Sequence, residues 1–139
     1  MDRIVDRVRA HTAPYVNERI DRMTRGTIQE YARREPADLV RRLAELDREW
    51  DVDRAIMALF PLVGGVVLHL GMTRDRRWLH LLRAQLGFLL LHAAAGWCPP
   101  VSLLRRQAFR TRAEIEEEKQ AIRRILASAR MATSKAAAR

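Results

Sequence analysis

The feature that most constrains this chain is an uninterrupted apolar stretch near its middle. The segment AIMALFPLVGGVVLHLGMT, residues 55–73, contains no formally charged residue, and residues 55–68 carry no polar side chain. A helix rises about 1.5 Å per residue, so a segment of this length spans the roughly 30 Å hydrocarbon core of a bilayer. A water-soluble helix ordinarily keeps one polar face. The segment therefore predicts a membrane-spanning helix.

A second apolar stretch follows after a short basic break. Residues 78–97, WLHLLRAQLGFLLLHAAAGW, contain one formal charge, Arg83, and the sequence RDRR at 74–77 separates the two stretches. A connection this short leaves room only for a tight turn between antiparallel helices. Two such helices satisfy their backbone hydrogen bonds internally, as the bilayer interior requires. The sequence thus predicts an all-α fold class with a two-span transmembrane hairpin, the spans lying at about 55–73 and 78–97 within segment 51–104.

A water-soluble alternative stays open, in which the two apolar stretches are the core of a helical bundle or oligomer. Pro61, Gly64 and Gly65 interrupt the first stretch and favour this alternative, because proline and glycine are poor residues inside a helix. The apolar run has no polar face, however, and this favours the membrane.

The tryptophans also favour the membrane. Trp50, Trp78 and Trp97 bracket the two predicted spans, and none of the three lies well inside a span. Indole rings prefer the level of the lipid headgroups. We therefore expect these residues to be interface anchors at the two membrane surfaces.

The segment before the hairpin, residues 1–50, has the pattern of amphipathic helices. Pro36 begins one of them, and Leu39, Leu43 and Leu46 recur there at helical spacing. Narrow stripes of this kind pair with another helix or with a second subunit. The first 25 residues are charged throughout and show no secretory signal peptide.

The segment after the hairpin, residues 105–130, combines a basic juxtamembrane part with an amphipathic helix. Thr111 and Glu114 form a capping-box pattern at the start of that helix. Residues 131–139 have little apolar surface to bury and are predicted to be a loose tail.

The net charge of +9 is unevenly distributed along the chain. Residues 1–54 carry twelve Arg against twelve Asp or Glu, whereas residues 105–139 carry ten Lys or Arg against four Glu. A basic segment directly after apolar spans is typical of contact with anionic lipid, and it argues against a nucleic-acid partner. The residues predicted to face lipid are Arg105, Arg106, Arg110 and Arg112.

The same basic residues predict the orientation of the hairpin. Near the spans, nine Lys or Arg residues lie on the side of the termini and three lie in the turn. Positive residues are retained in the cytoplasm, so both termini are expected there. The predicted location is the bacterial inner membrane.

Few residues in the chain suggest chemistry. The intramembrane polar residues are His69, His80, Arg83 and His92; Arg83 can extend to the headgroups, and an ionisable group deep in a span is a functional candidate. The spacing of the histidines matches no metal-binding motif, and no motif for a catalytic nucleophile, a phosphate loop or a dinucleotide is present. We therefore expect no metal, no cofactor and no enzymatic activity.

The single cysteine, Cys98, lies where the second span ends and the basic segment begins. It is a candidate functional thiol, with a packing role as the alternative reading. Pro99 and Pro100 follow it and are expected to end the second helix, since proline has no backbone N–H to donate.

The run GWCPPVSLLRR at 96–106, followed by RTRAEIEEE and preceded by two short spans, resembles the YgaP-like transmembrane family of small bacterial inner-membrane proteins. The similar region covers about residues 50–119. The resemblance implies a two-helix hairpin that pairs as a homodimer. Some members of that family join the hairpin to a rhodanese domain, and this chain carries no counterpart of that domain.

These observations predict a non-enzymatic, self-associating membrane anchor or assembly module whose partners are membrane lipids and a second copy of the chain. One alternative is a small transport or sulfur-linked accessory protein that uses Cys98 and His92. The other is a soluble helical oligomer with the apolar hairpin as its core.

Overall fold

The computed structural model describes residues 6–137, and the regular structure in that range is entirely α-helical. The predicted all-α fold class is therefore confirmed. The helices are α1 (Arg7–Ala10), α2 (Pro14–Tyr31), α3 (Pro36–Arg48), α4 (Val52–Thr73), α5 (Trp78–Ala95), α6 (Pro99–Arg106) and α7 (Arg112–Ala137).

Local sequence explains where several helices begin. Pro14, Pro36 and Pro99 occupy first-turn positions of α2, α3 and α6, where a missing N–H costs nothing. The predicted capping box at α7 is confirmed. The Thr111 N–H donates to Glu114 Oε2 at 2.8 Å, and the Glu114 N–H donates to Thr111 Oγ1 at 3.3 Å.

The helices outside the apolar stretches form a bundle, which we define as α1, α2, α3, α6 and α7. Its main core lies between α3 and α7, whose leucine and isoleucine side chains pack against each other. Helix α2 also packs against α7. Each fully buried side chain of this size contributes about 1.5–3 kcal/mol of hydrophobic stabilisation. The core residues are Leu39, Leu46, Ile115, Ile122 and Leu126.

Helices α4 and α5 form an antiparallel pair, which we call the hairpin. The end of the hairpin away from the turn is attached to the bundle. A second apolar cluster, the junction cluster, makes this attachment. It joins the first turns of α4 to α1 and α6 through Val8, Val52, Ile56, Phe60, Cys98 and Val101.

Two predictions about where helices end differ from the structure. Helix α5 ends at Gly96, whose φ of 72° is left-handed, and Pro99 begins α6 instead of ending α5. Helix α7 continues to Ala137, so residues 131–137 are helical and not a loose tail. Alanine has the highest helix propensity, so a helix propagates easily through this alanine-rich end. Residues 138–139 lie outside the described range.

Candidate functional site

The hairpin is the candidate site. Only one narrow face of α4 is buried. The buried positions of α4 recur at steps of three or four residues, which is a single stripe along a helix. Helix α5 has no buried residue at all. The stripe on α4 consists of Val52, Ile56, Phe60, Gly64, Val67 and Gly71.

Two glycines in that stripe allow α5 to come close. A Cβ built on Gly71 would lie 2.6 Å from Leu79 Cδ2, and one built on Gly64 would lie 3.3 Å from Gln85 Nε2. The Gln85 side chain donates a hydrogen bond to the backbone carbonyl of Phe60, so its amide is satisfied between the helices. The two glycines are seven residues apart, which is two helical turns, and this spacing was present in the sequence.

Most of the remaining hairpin surface is formed by apolar side chains that face outward. The exposed fractions are 72% for Met57, 69% for Leu62, 76% for Met72 and 73% for Leu90. In the most apolar 18-residue window, mean hydropathy is 2.0 and only 28% of the window is buried inside the chain. This number of exposed apolar side chains on one helix pair is typical of contact with lipid or with another protein.

By length and composition, one helical stretch in the described range could cross a membrane. It is Pro36–Thr73, which includes both α3 and α4. A second crossing would come from α5 together with α6, which are bent by 68° at the Gly96–Cys98 break. Helix α5 by itself is 18 residues long, about 27 Å.

The tryptophans lie at both ends of the hairpin and are partly exposed. Trp50 precedes α4 and Trp97 follows α5, at the end attached to the bundle, whereas Trp78 begins α5 next to the turn. The exposed fractions are 52%, 36% and 39%, respectively. The Arg54 guanidinium lies 5.7 Å from the centre of the Trp50 ring.

Three of the predicted intramembrane polar residues, His69, His80 and Arg83, are exposed on the hairpin. No hydrogen bond or ion pair joins them, and Asp75 instead contacts Arg77 in the turn. Within residues 6–137, no group of three or more His, Cys, Asp or Glu side chains could hold a metal ion.

His92, near the end of α5, contacts the first turn of α4. Its Nε2 is 3.3 Å from Asp53 Oδ1, and its side chain is only 12% exposed. Its Nδ1 is buried and has no hydrogen-bond partner in the described part of the chain. The pair connects the two helices at the end of the hairpin nearest the bundle.

Cys98 is completely buried in the junction cluster. Burial raises the pKa of its thiol above the ordinary value, against a smaller opposing effect of the Val101 backbone N–H. A buried neutral thiol is a poor nucleophile. This position supports the packing role for Cys98, and it offers no support for the sulfur-linked alternative.

The prediction that Arg105 faces lipid is wrong, because its side chain is buried inside the bundle. Its two terminal nitrogens bind both carboxylate oxygens of Glu114, at 2.6 and 2.8 Å. Its other N–H groups donate to the Phe109 carbonyl, Asn17 Oδ1 and Thr12 Oγ1. All five guanidinium donors are therefore used, which is what burial of an arginine requires.

Glu114 is the centre of this network. It also accepts a hydrogen bond from Arg9 at 2.7 Å, and Arg9 in turn binds Asp21. Burial opposes ionisation of Glu114, but the hydrogen bonds from Arg105 and from the Thr111 N–H outweigh it, and the pKa of Glu114 is lowered. The carboxylate is held charged between two arginines.

Arg110 is also not at a lipid-facing surface. Its side chain is 11% exposed and forms ion pairs with Glu49 and Glu118. Glu118 is fully buried and binds Arg42 as well, at 3.0 Å. These pairs fasten α3 and the segment before α7 onto α7.

Of the four predicted lipid-facing residues, Arg106 and Arg112 are exposed. The sequence did contain a signal for the buried pairs. Position 118 continues the stripe through Ile115 and Ile122 at steps of three and four, so a glutamate there must face the core and needs a cationic partner.

Comparisons of this chain with protein-family models, curated proteins and solved structures found no match.

Proposed function

We propose that this chain is a non-enzymatic integral protein of the bacterial inner membrane, an anchor or assembly module. In this proposal α4 and α5 cross the bilayer as a hairpin, and the bundle lies in the cytoplasm with both termini. The observation that carries the proposal is the outward apolar surface of the hairpin, which the chain itself leaves uncovered. Exposing that surface to water would be unfavourable by about 25 cal/mol per Å².

The contrast between hairpin and bundle supports the same proposal. The bundle is tied together by buried ion pairs such as Arg105–Glu114 and carries charged residues on its outside. Helix α4 has no charged residue between Ala55 and Thr73, and α5 has one, Arg83. A chain divided in this way matches one water-facing part and one lipid-facing part. The resemblance of residues 50–119 to the YgaP-like hairpins agrees with this division.

Self-association belongs to the proposal, with a second copy of the hairpin as the partner. Gly65 and Gly87 lie on outward faces, and a Cβ added to either would meet no atom within 4 Å. Small residues on a lipid-facing surface let helices of two copies approach closely.

Extraction of membranes tests the proposal against the soluble alternative. We expect the tagged full-length chain to remain in the membrane pellet after carbonate treatment and to be released by detergent. The variant Leu62→Arg/Val66→Arg places two charges on the outward face of α4, at a cost of about 2.5–3.5 kcal/mol each in a bilayer. We expect it to leave the pellet, whereas the control Leu62→Ile/Val66→Ile stays. Release of the unaltered chain by carbonate would overturn the proposal and make the hairpin the core of a soluble oligomer.

A further inference from the structure

We infer that the hairpin carries a binding groove for one acyl chain of an anionic phospholipid, whose phosphate is held by Arg106. This inference rests on the proposed membrane location and adds a specific lipid site to it. The groove runs along one side of the hairpin, between α4, α5 and the start of α6; it is open along its length and has a volume of about 320 Å³.

The lining of the groove selects an apolar occupant. Its walls are aliphatic and aromatic, with Val63 and Val67 on α4 and Ala84 and Phe88 on α5. The one polar side chain in the wall, Gln85, already donates to a backbone carbonyl of α4. A charged or polar ligand would therefore find no partner inside, whereas a hydrocarbon chain would lose nothing by entering.

The length and direction of the groove fit an acyl chain. On α4 it extends from Leu59 to Val67, which is about 12 Å along the helix axis. It begins beside Pro99 and Pro100, at the end of the hairpin attached to the bundle, and runs toward the turn. In the proposed orientation this is the direction in which an acyl chain enters from the cytoplasmic leaflet.

Helix α6 begins at the groove with Pro99 and ends with a positive charge, Arg106, about 10 Å further along its axis. The bend of 68° between α5 and α6 turns α6 close to the membrane plane when α5 lies along the normal. The outer face of α6 reads Pro99, Leu103 and Arg106, at steps of four and three, and Leu103 is 58% exposed. The inner face holds the buried residues Val101 and Arg105.

This arrangement is that of an interfacial helix, with apolar residues toward the lipid chains and a cation at headgroup level. Arg106 is exposed, and no ion pair occupies its guanidinium in the described residues. An arginine fork matches the oxygens of a phosphate. The neighbouring Arg105 is fully committed to Glu114 and cannot serve this role.

Quenching of Trp97 fluorescence tests the inference, because Trp97 lies two residues before the first residue of α6. The full-length variant Trp50→Phe/Trp78→Phe leaves Trp97 as its one tryptophan and is reconstituted in phosphatidylcholine vesicles. One set of vesicles contains a small fraction of phosphatidylglycerol with brominated acyl chains. The other set contains the same fraction of phosphatidylcholine with brominated acyl chains. We expect the brominated phosphatidylglycerol to quench more strongly than the same fraction of brominated phosphatidylcholine.

Matched variants separate the groove and the cation from general effects of charge. We expect Arg106→Ala to weaken the preference for the anionic lipid about fivefold, the value of one basic residue near an anionic surface. Arg106→Lys should keep most of the preference, and Arg33→Ala, an exposed arginine in the connection between α2 and α3, should keep all of it. Ala84→Phe fills the groove and should reduce quenching by the anionic lipid, whereas Leu90→Phe, on the same helix outside the groove, should not.

Other results would overturn the inference in distinguishable ways. Equal quenching by both brominated lipids shows that the groove holds no anionic lipid. Quenching that disappears as the protein-to-lipid ratio rises shows that a second copy of the chain fills the groove. Absence of quenching by either lipid would contradict the proposed membrane location itself.

Discussion

At the scale of single residues, the arginines that follow the hairpin have two different roles. Arg105 and Arg110 point into the bundle and neutralise Glu114 and Glu118, whereas Arg106 stays outside. Adjacent residues on a helix face directions about 100° apart, so neighbouring arginines need not share a surface. A buried ion pair is costly to break from one side, because it leaves a charge without a partner in a low-dielectric interior.

Removal of the Arg105 guanidinium tests this assignment. We expect Arg105→Met to lower the free energy of unfolding by about 3 kcal/mol, since Glu114 would remain buried with Arg9 as its one cationic partner. The exposed Arg112→Met serves as the control and should change stability little. Thermal unfolding of the detergent-solubilised chain, followed by circular dichroism, measures both. Equal melting temperatures for the two variants would show that Arg105 is not part of a buried pair.

The lowered pKa of Glu114 predicts acid sensitivity. A carboxylate whose pKa is lower in the folded state stabilises the fold above its unfolded pKa and loses that contribution as pH falls toward the folded value. We therefore expect the free energy of unfolding to decrease below about pH 4.5. Glu114→Gln should flatten this dependence, whereas Glu117→Gln, at an exposed position, should preserve it. Unfolding curves from about pH 6 to about pH 3 provide the measurement; an unchanged slope in Glu114→Gln would contradict the role of Glu114.

At the scale of helices, pairing of α4 with α5 depends on close approach at two glycines. Gly64 lies on the face toward α5 with Gln85 and Leu82 against it, whereas the adjacent Gly65 faces open space. The two positions differ by one residue and therefore by about 100° around the helix. They form a natural matched pair for testing which face of α4 meets α5.

We expect Gly64→Leu to weaken the hairpin, because the added side chain would occupy the space of Gln85 and break its bond to the Phe60 carbonyl. Gly65→Leu should leave the pairing intact. Disulfide formation between introduced cysteines on facing positions, Val67→Cys and Leu82→Cys, reports the pairing in a Cys98→Ala background. Similar cross-linking in both leucine variants would show that α4 meets α5 through a different face.

The positions of most helices were predictable from local signals. The capping box at Thr111, the proline at the start of α3 and the two apolar runs each mark an element through chemistry within a few residues. The break at Gly96 was not predicted. That position lies against α1, where a Cβ would come within 2.6 Å of Arg7 Cβ. The left-handed φ of Gly96 is a local reason for glycine at a helix end, whereas the contact with α1 joins segments distant in sequence and is not recorded in local patterns.

At the scale of the whole molecule, charge and apolar surface are separated into two parts. The bundle buries its ion pairs and leucine stripes internally, and the hairpin exposes its apolar side chains. The junction cluster around Val52 and Cys98 connects the parts. The sequence already indicated the apolar part. The inward position of Arg105 could not be read from composition, since it depends on where α7 packs.

In the proposed topology, the turn between α4 and α5 and the helix α7 lie on opposite sides of a membrane. Labelling with a membrane-impermeant maleimide tests it in the Cys98→Ala background. Asp75→Cys places a thiol in the turn, and Gln120→Cys places one on the exposed face of α7. We predict that intact spheroplasts label the first variant and that the second is labelled only after lysis. Labelling of both variants only after lysis would contradict a hairpin that crosses the bilayer.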